Sequence, residues 1–195
     1  MNTKKVVGGI LLGTFVVLTV VTLNLLSRRS RAAQGPPATP EAKWKISIGR
    51  SPMDDSRTVV LALDSEDKIQ GPLGTVTPSL IVRCQEKKTE VYVATGMAAS
   101  IESHGEYSIA PQDSHTVRTR LDDAVASTEY WYESGDHKAL FVERDDIEFA
   151  KVLSGASTFT FQFTPFDASS QTAQFNVGGL GPHLHKLAEA CGWAY

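Results

Sequence analysis

Cysteine is nearly missing from this chain: its 195 residues include only Cys84 and Cys191. Two cysteines are too few for a disulfide scaffold or a four-cysteine zinc site, and this pair forms no CxxC redox motif. Basic residues are also scarce beyond the N-terminus. Lys4, Lys5, Arg28, Arg29 and Arg31 fall in the first 31 residues, which contain no acid. Setting those five aside leaves 14 basic residues against 22 acidic ones, a net charge of -8 for the remainder. Nucleic acid rewards clustered Lys and Arg, so an acidic domain argues against that partner. Catalytic signatures are lacking too. There is no GxSxG elbow, P-loop, HExxH or EF-hand loop. Gly178-Gly179-Leu180-Gly181 lacks the full glycine fingerprint and the βαβ context of a phosphate-binding turn, and reads as a loop. His183 and His185, two apart on a helical pattern, face different ways and make no metal pair. Neither a metal nor a cofactor is expected.

What is present starts with one long apolar run. Val6 to Leu26 carries no charge, and as a helix it would cover about 30 Å, the hydrocarbon thickness of a bilayer. The apolar core of a cleavable signal peptide is usually only about 7–15 residues. This run is longer and is followed by Ser27-Arg28-Arg29-Ser30-Arg31. Residues 1–31 therefore read as an uncleaved signal anchor, the alternative being cleavage and release. Basic residues flank both ends, so the positive-inside count does not set the orientation. Gly9 and Gly13 form a GxxxG, a pattern frequent by chance in such spans. Residues 32–42, with Gly35, Pro36, Pro37 and Pro40, read as an extended linker.

The remaining residues, 43–195, alternate like a β protein. Trp44, Ile46 and Ile48 start a first strand, and Val59, Leu61 and Leu63 mark a second. Pro78 to Gly96 predicts a hairpin: Leu80, Val82 and Cys84 go up, the polar Gln85–Lys88 turns, and Val91 and Val93 return. Asp64 to Gly74 reads as turn-rich, Met97 to Glu102 as an extension or follower of that hairpin, and His104 to Ser114 as a loop. Further strands are predicted at Thr116–Leu121, Thr128–Glu133, Ala139–Val142, Thr158–Phe163 and Thr172–Val177. Between them, Asp145 predicts a helix N-cap with Glu148 as its reciprocal partner. Ile147, Ala150 and Leu153 would face the core, and Gly155 would end the helix. Pro182 opens a closing helix, whose Leu184, Leu187, Ala188 and Cys191 share one face. The expected fold is mainly β (α+β): an antiparallel β-sandwich-like domain, or a strongly twisted sheet, with two short helices.

Cys191 on that inner face could meet Cys84 on the hairpin and close a loop of about 100 residues. The alternative is two separate buried thiols. A bond would point to an oxidising compartment. Arg83, Arg118 and Arg120 lie on the non-core faces of predicted strands. On neighbouring strands they would make a cationic site for a carboxylate or phosphate; otherwise they pair with acids across strands. Asp54-Asp55, Asp122-Asp123 and Asp145-Asp146 invite an acid–base reading. Their places in a turn, a strand end and a helix cap supply a plainer one.

Several stretches resemble one family. SPMDDSRTVVLALDS (Ser51 to Ser65), PSLIVRCQEKKTEVYVATG (Pro78 to Gly96), WYESGDHKALF (Trp131 to Phe141), TFTFQFTPFDAS (Thr158 to Ser169) and the terminal ACGW (Ala190 to Trp193) are similar, in this order, to the VasI/TagO proteins associated with type VI secretion systems. The resemblance spans about Trp44 to Trp193. It implies an accessory protein of a bacterial secretion gene cluster, exported to the periplasm, and it carries over the cysteine positions Cys84 and Cys191 but no catalytic residue. With the apolar run, the expectation is a non-enzymatic module in the periplasm, tethered to the inner membrane and binding an envelope or secretion-machine protein. The alternatives are a cell-wall hydrolase using Asp54, Asp55 or Asp122, and an envelope binding or immunity-type protein unrelated to secretion.

Overall fold

The alternation read from Trp44 onward becomes the backbone of one large sheet. The computed structural model describes residues 43–72, 74–102 and 114–195. In chain order the strands are β1 (Lys45–Arg50), β2 (Arg57–Asp64), β3 (Ile69–Gly71), β4 (Gly74–Val76), β5 (Ser79–Gln85), β6 (Lys88–Ala94), β7 (Ser114–Leu121), β8 (Ser127–Glu133), β9 (Ala139–Val142), β10 (Thr158–Phe163) and β11 (Gln171–Asn176). Helix α1 (Asp146–Ser154) lies between β9 and β10, and helix α2 (Gly181–Cys191) follows β11. Nine strands form a continuous sheet in the order β1-β2-β5-β6-β9-β8-β7-β10-β11, and β3 and β4 form a separate hairpin. All pairings in the large sheet are antiparallel. Where a sandwich would split the strands between two sheets, here they share one ladder.

The predicted central hairpin is β5–β6. Its turn residues Glu86 and Lys87 both have positive φ (51° and 59°), with Gln85 paired to Lys88. A two-residue loop of this kind twists in the same sense as the strands it joins. One face of the sheet is buried: Val59, Leu61, Leu80, Val82, Cys84, Val91, Val93, Val117, Trp131, Leu140, Phe159, Phe161 and Phe175 all belong to one core. Both helices pack on this side. Rings supply much of its volume, with Trp131, Phe149 and Phe159 meeting edge to face.

The helices follow their start and stop signals. Asp145 accepts hydrogen bonds from the amides of Ile147 and Glu148, although Glu148 makes no return bond among the described residues. The buried face of α1 is Phe149, Ala150 and Leu153, and Ile147 is only half-buried. The expected face is therefore rotated toward Phe149. In α2, Leu184, Leu187 and Ala188 are buried, and Gly192 closes the helix at φ 76°.

Two segments depart from expectation. The turn-rich stretch from Asp64 to Gly74 contains β3 and leads into β4. Residues after Gly96 do not extend β6. They cross to the β10–β11 connection, where Ala99 bridges Pro165. The loop expected at His104–Ser114 lies outside the described residues except for Ser114, which opens β7. The apolar run Val6–Leu26 also lies outside them. Among the described residues, no helix is long and apolar enough to cross a membrane.

Candidate functional site

The sheet order decides the fate of the three arginines. Arg83 is on β5 and Arg118 and Arg120 are on β7, with β6, β9 and β8 in between. The condition for a joint cationic site, neighbouring strands, is not met. Arg83 instead bonds Glu90 across the β5–β6 ladder at 2.7 Å and lies over the Tyr92 ring. Burial works against the Glu90 charge, but bonds from Lys88 and Arg83 outweigh it and hold the carboxyl below the usual range. Arg120 donates to the Asp122 carbonyl at 3.0 Å. Arg118, opposite Gln162, makes no ion pair or hydrogen bond among the described residues. Arg118 and Arg120 thus share a shallow polar surface with Thr160, Gln162, Thr172 and Gln174.

The acid pairs serve the backbone. Ser56 bonds Asp54 through both its hydroxyl and its amide, and these bonds hold the Asp54 carboxyl below its ordinary value. Asp55 turns the chain at φ 58°. Asp122 accepts from the amides of Ser157 and Thr158, both at 2.9 Å. The sulfurs of Cys84 and Cys191 are bonded to each other, with 5.7 Å between their Cα atoms. Cys84 is fully buried, so the bond sits beneath α2, against the sheet.

An apolar concavity lies elsewhere, beside the β3–β4 hairpin. It holds about 330 Å³ and is lined by Pro72, Val76, Met97, Ala98 and Phe166, with Asp136, His137 and Lys138 on one wall. Glycine shapes it. At Gly96 (φ 70°) an added Cβ would come within 2.7 Å of Val76 Cγ1, so a larger residue would strain the turn and displace the wall. The walls are tied by backbone bonds. Gly96 N donates to Lys138 O at 3.0 Å, Thr95 Oγ1 to the same oxygen at 3.1 Å, and Phe166 N to Ala98 O at 2.9 Å.

Behind the polar wall lies Glu133 at the end of β8, its side chain only 13% exposed. One carboxylate oxygen accepts from the Ala99 amide at 2.6 Å. The other bonds His137 Nδ1 and lies 3.8 Å from His115 Nε2. His115 Nδ1 faces the Ser100 carbonyl at 2.9 Å, which only accepts, so that nitrogen carries the proton. The bond from Glu133, and its charge, raise the pKa of His137 above its ordinary value. His137 itself sits at φ 58° in the β8–β9 turn and is 68% exposed. Its Nε2 has no partner among the described residues. No hydroxyl or thiol bonds this imidazole among the described residues, so the arrangement holds a proton or docks an anion. Among the described residues no group of His, Cys, Asp and Glu is set to hold a metal ion.

Sequence reasoning missed this cavity. It joins residues 71, 72, 74–76, 96–98, 136–138 and 166, which meet only through the sheet order. Ser134-Gly135-Asp136 are turn formers that give a local signal, but their meeting with Met97 and Phe166 leaves none. Comparison with protein-family models, with curated proteins and with solved structures returns no match for this chain.

Proposed function

We propose that this protein is a non-enzymatic binding module, tethered by residues 6–26 to a bacterial inner membrane with its β domain in the periplasm. It would serve a secretion or envelope assembly of the kind the VasI/TagO resemblance implies. The observation that carries this reading is the Cys84–Cys191 bond, because such bonds persist in oxidising compartments and are rare in reducing ones. The uncharged run before the linker supplies the tether, and the resemblance supplies the assembly. The surface around Arg118 and Arg120 is one face for a protein partner, since the Arg118 side chain has no acidic partner among the described residues. The hydrolase alternative gains nothing from Asp54, Asp55 or Asp122, whose carboxylates or backbone are engaged in turns.

Reporter fusions after residue 40 and after residue 195 test the compartment. Both should be active with a periplasmic reporter and silent with a cytoplasmic one. The opposite pattern would remove this reading. Affinity capture of the full chain from solubilised envelopes should then recover a defined envelope or secretion protein. An Arg118→Glu, Arg120→Glu variant should recover less of it.

A further inference from the structure

The cavity beside the β3–β4 hairpin combines an apolar interior with a lip that offers unused hydrogen-bond donors. Phe166 is 51% exposed and lies in the same lining as Val76, Met97, Ala98 and Pro72. A single exposed ring means little, but apolar groups facing one shared concavity form a contiguous patch. The tied walls make this concavity pre-formed rather than an accident of side-chain placement.

The lip is unequal in its polar groups. Glu133, behind the wall, uses both carboxylate oxygens, and Asp136 uses one: its Oδ1 accepts from Ser134 Oγ at 2.6 Å and from the Lys138 amide at 3.2 Å. Glu133 accepts from Ala99 N and holds His137. The donors are free: Lys138 Nζ has no ion pair or hydrogen bond among the described residues, and His137 Nε2 has none either. An arriving anion finds two cationic donors, His137 Nε2 and Lys138 Nζ, whereas an arriving cation finds one open acceptor among the described residues, Asp136 Oδ2.

We propose that this cavity binds a small amphiphilic carboxylate. Its apolar body would lie against Val76, Met97 and Phe166, and its carboxylate would be held by His137 and Lys138. Size sets the class. A dry cavity of about 150 Å³ accepts benzene, so 330 Å³ takes a body of several carbons but not a two-chain phospholipid. Proton-holding sets the pH behaviour. The groups facing His137 are Glu133, with His115 behind it on β7, and Asp136 and Lys138 of its own turn. Losing the His137 proton leaves one donor, Lys138, facing the ligand. Binding therefore weakens as pH rises through the raised pKa of His137. The site goes beyond the tethered-module reading and does not depend on which compartment the domain occupies.

The test uses the full chain in lipid nanodiscs and a diazirine-bearing octanoic acid, with labelled peptides mapped by mass spectrometry. Label is expected on the segments carrying Val76, Met97 and Phe166. Octanoate should compete at least several-fold better than octanol or octylamine. Lys138→Gln and His137→Asn should each weaken octanoate competition by about tenfold, as loss of a charge-assisted bond implies, and leave octanol unchanged. Asparagine tolerates the left-handed backbone at position 137, and Lys138 is exposed, so both variants should fold. Raising the pH from 6 to 9 should weaken octanoate in the unaltered chain relative to His137→Asn. Comparing variants at each pH cancels any change in partition into lipid. Label spread over the surface, equal competition by the three octyl compounds, or preference for octylamine would each overturn the proposal.

Discussion

Asp146 shows the sharpest conflict between charge and surroundings in the described chain. It opens α1, but its carboxylate is half-buried, where it accepts from the Val91 amide at 2.6 Å. Burial pushes its pKa up to about 6, and the nearby charges of Glu90 and Asp145 push the same way, against the Val91 bond. A raised folded-state value means that the fold favours the protonated acid. Stability from this group is therefore greatest at low pH. It falls as pH rises from the ordinary value of 3.8 to about 6, and the cost is constant above that. Asp146→Asn keeps an oxygen for Val91 N–H and removes the charge. It should stabilise the protein by on the order of 1 kcal/mol at pH 8, a figure already reduced because water reaches much of the group. At pH 3.5 the variant should match the parent. Urea unfolding of both proteins at the two pH values checks the sign. The Asp145-Asp146 pair stands out in the sequence, but nothing local announces the burial of Asp146, which depends on β6 passing beside the start of α1.

At the scale of elements, legibility followed periodicity. All nine strands of the large sheet could be read, most of them because burial on one face forces alternation, clearest in Phe159, Phe161 and Phe163; β1 alternates in sequence although all six of its residues are exposed. The β3–β4 hairpin could not. Each of its strands is three residues long, with Gly71 paired to Gly74, too short and too glycine-rich to show a pattern. Caps were readable for the same local reason, and the Asp145 cap gives a direct prediction. Asp145→Ala should lose the two bonds to Ile147 and Glu148 and cost about 1 kcal/mol, seen as faster amide exchange confined to α1. On the inner face of α1, Ala150 and Leu153 are buried as read, but the third buried residue is Phe149 rather than Ile147, the ring that meets Trp131 and Phe159. Strand order was the larger gap. β9 enters between β6 and β8, and this separates Arg83 from Arg118 and Arg120. The same long-range connection places His137 opposite Phe166 and creates the cavity. Loop closures of this range leave no trace in neighbouring residues.

Across the whole molecule, the tail is fixed to the sheet in more than one way. α2 buries Leu184, Leu187 and Ala188 and packs on β2 and β5. Beyond it, Trp193 Nε1 donates to Thr89 Oγ1 at 2.8 Å and the Tyr195 hydroxyl to Ser154 Oγ at 3.0 Å. The disulfide joins positions 107 apart and encloses most of the domain. By the chain-entropy argument, closing so long a loop restricts chiefly the unfolded chain and contributes about 2–5 kcal/mol. Reduction should therefore lower global stability without detaching the tail, since packing and these bonds still hold α2 in the folded state. Guanidinium unfolding with and without reductant should show a single transition moved to lower denaturant. Cys84→Ala/Cys191→Ala should already lie at the reduced position and ignore the reductant. A loss confined to exchange in α2, with the main transition unmoved, would mean that the bond only pins a loose end. A membrane-impermeant alkylating agent on intact cells should find no thiol at either position without reductant, and because Cys84 is fully buried, none at Cys84 until the reduced chain is also unfolded. Alkylation of Cys191 in native, unreduced cells would show that the bond does not form in the compartment the domain occupies, and would withdraw the main support for an oxidising one.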